Sequence, residues 1–183
     1  MRMRFRRLWV LAALAVPMGV TGFVAAPASA SVGTTCSANS GTIKLSPGLS
    51  ESAQVQNIIV KGRLSGCTGA SVTGGTYVAH LKTTSPVSCA ALASAGEAAT
   101  GSIVIKWSPK GQGNSNGTFS MPLTGTPEVS LGGTLTSGLF SPSSISGTVS
   151  QSFAGPCGGS GKGKKKGKKV KDGTFAGSAF EVS

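Results

Sequence analysis

Residues 101–123 contain two runs in which apolar and polar side chains alternate, separated by a loop rich in glycine and asparagine. The apolar side chains at every second position are Ile103, Ile105 and Trp107 in the first run and Phe119, Met121 and Leu123 in the second. A period of two places such side chains on one face of a strand, and turn-forming residues between the runs favour an antiparallel hairpin. The chain is therefore expected to build its core from half-buried strands.

The same alternation recurs along the rest of the chain after residue 30, with almost no helical periodicity. The further alternating segments lie at residues 42–45, 55–64, 75–83, 129–136, 143–153 and 174–182. Eight strands at this spacing predict an all-β fold, an antiparallel β-sandwich with Greek-key-like connections, and a closed Greek-key β-barrel is the alternative. The alanine-rich part of residues 84–100 favours one or two helical turns between strands.

Two residues inside the predicted strands carry positional information. Gly62 occupies the same face as Ile58, Val60 and Leu64, where a glycine indicates a bulge or the close approach of another backbone at a corner of the sandwich. Pro122 has no N–H to donate to a neighbouring strand, which predicts that its strand lies at a sheet edge there.

The first 30 residues have the three parts of a signal peptide. Arg2, Arg4, Arg6 and Arg7 precede an apolar run at residues 8–26, and the small residues Ala28 and Ala30 fit a signal-peptidase cleft. We expect cleavage after Ala30 and secretion, and a retained membrane helix is the alternative. Residues 31–183 then have the length of a single domain.

Four cysteines follow the predicted cleavage site, and an even number in an exported chain predicts two disulfides. If successive strands alternate in direction, Cys36 and Cys67 lie at one end of the fold and Cys89 and Cys157 at the other. This reasoning pairs Cys36 with Cys67 and Cys89 with Cys157. A zinc site is disfavoured because the chain has no Cys-x-x-Cys motif and a single histidine. We predict neither a metal nor a cofactor.

Positive charge is concentrated near the C-terminus. The whole chain has a formal charge of +12, but after residue 30 it has 13 Lys and Arg against 5 acids, or +8. Seven of the 13 lie close together: Lys162, Lys164, Lys165, Lys166, Lys168, Lys169 and Lys171. Glycines and like charges predict that residues 158–173, here called the basic segment, form a flexible loop.

A lysine-rich loop attracts polyanions by counterion release, and without interleaved aromatics it predicts no specific base readout. The expected partners are an anionic wall polymer, a lipid headgroup or extracellular nucleic acid. A loop that only enhances solubility is the alternative.

No set of residues in the sequence indicates catalysis. His80 is predicted to be an ordinary surface or cross-strand histidine, and the five acids show no pairing. Residues 113–117 match G-x-S-x-G, but we expect a hairpin turn there and not the strand-to-helix turn of a nucleophile elbow. Asn116-Gly117-Thr118 matches the N-glycosylation sequon and is likewise read as a turn. We therefore predict that the protein is not an enzyme.

Four segments of note follow the signal-like first 30 residues: GTIKLSPG at residues 41–48, KGRLSGC at 61–67, IVIKWSPKGQGNSNG at 103–117 and GGTLTSG at 132–138. Together with the signal, they resemble small secreted actinobacterial β-rich proteins of unassigned function. The resemblance implies secretion and a β-rich domain, and it brings no catalytic or binding residue.

The sequence as a whole predicts a secreted, non-enzymatic surface or envelope protein that attaches to anionic polymers through its basic segment. The alternatives are a secreted hydrolase acting on carbohydrate or cell-wall material and a carrier of a small apolar ligand.

Overall fold

The computed structural model describes residues 33–93, 97–126, 128–155 and 169–183. Its eight strands are β1 (Thr34–Leu49), β2 (Asn57–Thr68), β3 (Gly74–Thr83), β4 (Glu97–Ser108), β5 (Asn114–Leu123), β6 (Val129–Gly138), β7 (Ser143–Phe153) and β8 (Val170–Val182). A single 3-10 turn at Ala90–Ala93 lies between β3 and β4. The predicted signal peptide, residues 1–30, lies outside the described residues.

The strands form one closed antiparallel barrel, in which each strand pairs with the next and β8 pairs with β1. The all-β antiparallel fold of eight strands is confirmed, but the predicted sandwich is wrong and the closed barrel of the alternative is what the chain forms. The strands follow chain order around the barrel, so no Greek-key crossing is needed. Closure gives every strand a neighbour on both sides, so the barrel has no edge strand.

The closing contact involves residues that the sequence did not mark as strand. β1 has 16 residues, whereas alternation predicted only 42–45. Residues 34–41 are mostly small and polar, yet their backbone is paired on both sides, as Cys36 is with Cys67 of β2 and with Phe180 of β8. β8 begins at Val170, earlier than predicted, because it pairs with Leu49 at the end of β1.

Side chains fill the middle of the barrel around Tyr77. Its ring centroid lies 6.0 Å from that of Phe119, 6.4 Å from Phe175 and 5.9 Å from Phe180. Its hydroxyl donates a hydrogen bond of 3.0 Å to Asn39 Oδ1. Burial raises the pKa of Tyr77 well above its ordinary value, and the hydrogen bond to Asn39 opposes this only in part. The centre is thus an aromatic cluster with one buried polar pair.

Gly62 makes room for this cluster. It lies inside β2, opposite Tyr77 on β3, and a Cβ added at Gly62 would collide with the Tyr77 ring. Gly41 on β1 has the same relation to the ring of Phe175. The prediction of a bulge or a nearby backbone at Gly62, at a corner of a sandwich, is therefore wrong, because an aromatic ring occupies that space and the β2–β3 pairing is regular.

Pro122 lies where the pairing of β5 is one-sided. It faces Ala98 on β4, but the β5–β6 ladder has already ended at Ser120. The Pro122 carbonyl instead accepts a hydrogen bond of 2.7 Å from Gln151 Nε2. The sheet edge predicted at Pro122 thus corresponds to a local gap in the β5–β6 ladder of a closed barrel.

Alternating strand directions divide the connections between two ends of the barrel. The Cys36–Cys67 disulfide, between directly opposite residues of β1 and β2, staples one end. The other end carries the described residues 50–56, 84–93, 124–126, 128, 154–155 and 169, and it is called the segment end because Lys169, the first described residue of the basic segment, lies there. Cys89 lies at the segment end and is also disulfide-bonded. Cys157, its predicted partner, lies outside the described residues, so that pairing stays a prediction.

No helix within the described ranges is long and apolar enough to cross a membrane.

Candidate functional site

The outward side chains of β1–β4 form a surface that we call the cationic face. Its five cations are Lys44, Lys61, Arg63, Lys82 and Lys106, all exposed. Because successive side chains of a strand point to opposite sides, the alternation that buries the core also projects these residues outward. They are five of the six Lys and Arg residues between positions 31 and 161, and the sixth, Lys110, lies in the β4–β5 connection.

No acid occupies an outward position on these four strands. Glu97 is the first residue of β4, and it is not at an outward position because the outward positions of this strand begin at Ala98. Its carboxylate accepts hydrogen bonds from the hydroxyls of Thr84 and Ser85. Those hydrogen bonds, chiefly that from Ser85, lower the pKa of Glu97. The Glu97 carboxylate is thus engaged at the segment end, and the acid that borders the cationic face is Asp172 on β8, directly opposite Lys44.

Strand register gathers the cations across the face. Lys61 and Arg63 are successive outward residues of β2, and Arg63 is in register with Thr76, which is in register with Lys106. Neighbouring strands lie about 4.8 Å apart, so the backbones of Arg63 and Lys106 are about 10 Å apart. Charges at such spacing are close enough to act together on one extended polyanion.

The centre of the cationic face is apolar. Ile59, Val78 and Val104 project outward from β2, β3 and β4, and each is 37% exposed. Val78 is directly opposite Val104, and Ile59 is directly opposite His80. We call Ile59, Val78 and Val104 the apolar centre, and the five cations surround it.

The opposite wall of the barrel has a different character. The exposed residues at outward positions of β5, β6 and β7 are Asn114, Asn116, Thr118, Ser130, Thr134, Thr136, Ser137, Ser144, Ser146, Thr148, Ser150 and Ser152. All are uncharged. The remaining strand, β8, carries exposed Lys171, Asp172 and Glu181, so the positive charge of the barrel wall is concentrated on β1–β4.

The basic segment returns to the barrel beside the cationic face. Lys169 and Lys171 are exposed at the start of β8. The next residue, Asp172, is in register with Lys44 on β1. The other predicted polyanion-binding lysines, Lys162, Lys164, Lys165, Lys166 and Lys168, lie outside the described residues. The described end of the segment therefore adjoins the β1 side of the face.

Two surface pockets contain a carboxylate, the group that the hydrolase alternative requires. One, of about 350 Å³, lies beside β7 and β8 and is lined by Glu128. The other, of about 250 Å³, lies beside β1 and β8 and is lined by Lys44 and Asp172. A glycosidase needs two carboxylates flanking the scissile bond, and each of these pockets has one.

The other predicted chemical candidates also have structural positions. Ser115, the serine of the G-x-S-x-G match, is buried and accepts a hydrogen bond of 2.9 Å from Trp107 Nε1. Asn116 and Gly117 lie within β5, so the turn predicted there is wrong and the hairpin connection is shorter. His80 is exposed on the cationic face. Among the described residues, no group of three His, Cys, Asp or Glu side chains is arranged to hold a metal ion.

The sequence analysis did not predict that the cations of the barrel share one face. By count alone, residues 31–183 without the seven clustered lysines hold six basic and five acidic residues, which indicates a nearly neutral barrel. The available signal was that Lys61 and Arg63 alternate within one predicted strand, as do His80 and Lys82 within the next. Glu51 and Glu128, in contrast, fall between strands.

Comparison with known proteins gives no match: no family model, no curated protein and no solved structure is recognisably similar to this chain. The resemblance to small secreted actinobacterial proteins therefore stays a prediction.

Proposed function

We propose that this is a secreted, non-enzymatic surface or envelope protein that attaches to anionic polymers by electrostatics, through the cationic face together with the basic segment. The observation that carries the proposal is the concentration of positive charge on four neighbouring strands. Outward positions of β1–β4 hold five cations and no acid, those of β5–β7 hold no charge, and β8 carries exposed Lys171, Asp172 and Glu181.

A one-sided arrangement matters because attachment of this kind depends on many weak contacts. Each exposed cation contributes little by itself, but neutralising several charges of a polyanion releases its condensed counterions together. Five cations on one wall can contact the same polymer at once. Cations scattered among acids would lose much of this attraction to local compensation.

The basic segment extends the same charge. Seven lysines lie between residues 162 and 171, and the two that are described, Lys169 and Lys171, are exposed beside β1. Lysine is a compact, strongly hydrated charge without the planar fork of arginine, so binding should follow charge density and not sequence. Wall polymers, lipid headgroups and extracellular nucleic acid share this chemistry.

Export is part of the proposal. It is supported by the signal-like residues 1–30 and by the Cys36–Cys67 disulfide, a bond typical of oxidising compartments. The carrier alternative is less well supported because Tyr77 and three phenylalanines occupy the middle of the barrel.

The proposal is tested by elution of the mature protein from an anionic polymer matrix in a salt gradient. One variant has the five cations of the face replaced by glutamine, and a second has the seven lysines of the basic segment replaced by glutamine. We expect each variant to elute at lower salt than the wild type and the combined variant not to be retained.

A charge-matched control separates location from net charge. It keeps the face and carries Asn116→Glu, Ser130→Glu, Thr134→Glu, Ser146→Glu and Ser150→Glu on the uncharged wall, where no two of these residues are directly opposite. We expect this control to elute later than the variant that lacks the face. Equal elution of the two would show that net charge alone governs retention, and the cationic face would lose its role.

A further inference from the structure

We propose that the cationic face docks on the surface of an anionic lipid bilayer, with its apolar centre against the boundary between headgroups and acyl chains. This inference rests on the proposed attachment to anionic partners and specifies which partner the face takes.

The apolar centre distinguishes a bilayer from a polymer. Ile59, Val78 and Val104 are aliphatic and each is 37% exposed. A hydrated chain of phosphate or sugar units would be attracted by the surrounding cations but would gain nothing from these three side chains. A bilayer surface offers both interactions, because basic residues bind its anionic headgroups and apolar residues enter the interface below them.

Apolar exposure and positive charge coincide on one wall. The large apolar side chains that stand out as exposed in the described part of the chain are Val55, Ile59, Val78, Val104 and Leu139. Val55 and Leu139 lie in connections, and the remaining three all lie among the cations. The outward positions of β5–β7, which are equally regular strand, include none of them.

The arrangement of side chains on the cationic face fits the surface of a bilayer. β2 and β3 lie in the middle of the face and carry Ile59 and Val78, whereas Lys44 on β1 and Lys106 on β4 lie on its flanks. The long lysine stems can bend from the flanks toward a surface that touches the middle strands. A second copy of the chain is a poor occupant, because two such faces would bring their cations against each other.

The experiment measures co-sedimentation of the mature protein with vesicles of phosphatidylcholine alone and of phosphatidylcholine mixed with phosphatidylglycerol. The test variant is Ile59→Thr/Val78→Thr/Val104→Thr, which keeps every charge and retains β-branched residues suited to strands. We expect the wild type to bind only the mixed vesicles. We expect the variant to bind them about tenfold more weakly, because three partly buried aliphatic side chains are lost from the interface.

Two controls make the result specific. Circular dichroism and thermal unfolding establish that the variant is folded, and Thr118→Val/Thr134→Val places apolar residues on the uncharged wall. We expect this second variant to bind vesicles no better than the wild type, since apolar residues far from the cations should not reach the same bilayer.

The same variants on the anionic polymer matrix separate this inference from the proposed function. The threonine variant should be retained there as well as the wild type is. Unchanged vesicle binding by the threonine variant would overturn the bilayer inference. Binding of the wild type to the polymer but not to the vesicles would also overturn it and would favour a polymer as the partner. If the wild type binds neither the anionic polymer matrix nor the anionic vesicles, the proposed function itself is overturned.

Discussion

Replacing Tyr77 by phenylalanine removes one oxygen atom from the middle of the barrel and leaves its aromatic ring in place. Tyr77 is 2% exposed and Asn39 is 0% exposed, and the hydrogen bond of 3.0 Å between them joins β3 to β1 across the interior. The Nδ2 group of Asn39 has no hydrogen-bond partner among the described residues. Tyr77→Phe therefore leaves the buried amide of Asn39 without its one side-chain hydrogen bond.

The expected cost follows from burial. A buried polar group deprived of its partner destabilises a protein by about 1–3 kcal/mol, and Tyr77→Phe preserves the packing of the ring. For a domain with a total stability of about 5–15 kcal/mol this is a large change. Replacing both partners, as in Tyr77→Phe/Asn39→Leu, removes the orphaned amide as well, so the double variant should be more stable than Tyr77→Phe alone.

The assay is urea unfolding of residues 31–183 with the disulfides intact, followed by the fluorescence of Trp107, which is buried and is the single tryptophan after residue 30. Asn39→Leu completes a double-mutant cycle. A Tyr77→Phe variant within a few tenths of a kcal/mol of the wild type, together with additive effects in the cycle, would refute a stabilising hydrogen bond at the barrel centre.

Three further predictions concern the same barrel. Tyr77 is the single tyrosine, and burial raises its pKa, so the folded protein should lose stability as pH rises above the ordinary tyrosine pKa of about 10. Tyrosinate absorbance should appear only together with alkaline unfolding. Its appearance in the folded protein near pH ~10 would contradict the burial of Tyr77. Gly62→Ala should cost about 1–3 kcal/mol or more by forcing a methyl group onto the Tyr77 ring, whereas Gly132→Ala, with open space around it, should cost little in the same urea assay. Cys36→Ser/Cys67→Ser opens a loop with a sequence separation of 31 and should lower stability by about 3–4 kcal/mol in the loop-entropy model; an unchanged thermal midpoint would contradict that estimate.

The strand content could be predicted from the sequence because alternation is a local property. Ile103, Ile105 and Trp107 are all buried on one side of β4, as their spacing indicated. Period-two burial is the same in a sandwich and in a barrel, so alternation could not decide between them. That choice depends on the pairing of β1 with β8, which joins residues far apart in the sequence, such as Thr34 and Val182.

The length of β1 was not predictable from its own residues. Thr35, Ser37 and Ser40 have small polar side chains on the exposed side, and this segment lacks the run of large apolar residues that marks the other strands. It is a strand because two neighbours satisfy its backbone groups. Tertiary pairing of this kind overrides weak local propensity.

The cationic face was hidden for a related reason. Lys44, Lys61 and Lys106 are far apart in the sequence, and only the register of four successive strands brings them onto one wall. The alternation within each strand could be read from the sequence, but the register between neighbouring strands could not. Net charge therefore described the barrel as nearly neutral although its two walls differ.

Lysine acetylation footprinting, read by mass spectrometry with and without a saturating anionic partner, tests the attachment surface most directly. Lys44, Lys61, Lys82 and Lys106 on the cationic face should be protected from acetylation when the partner is bound. Lys110, an exposed lysine in the β4–β5 connection, serves as the internal reference and should be modified at nearly the same rate in both samples. Equal modification of the four face lysines with and without the partner would contradict the account.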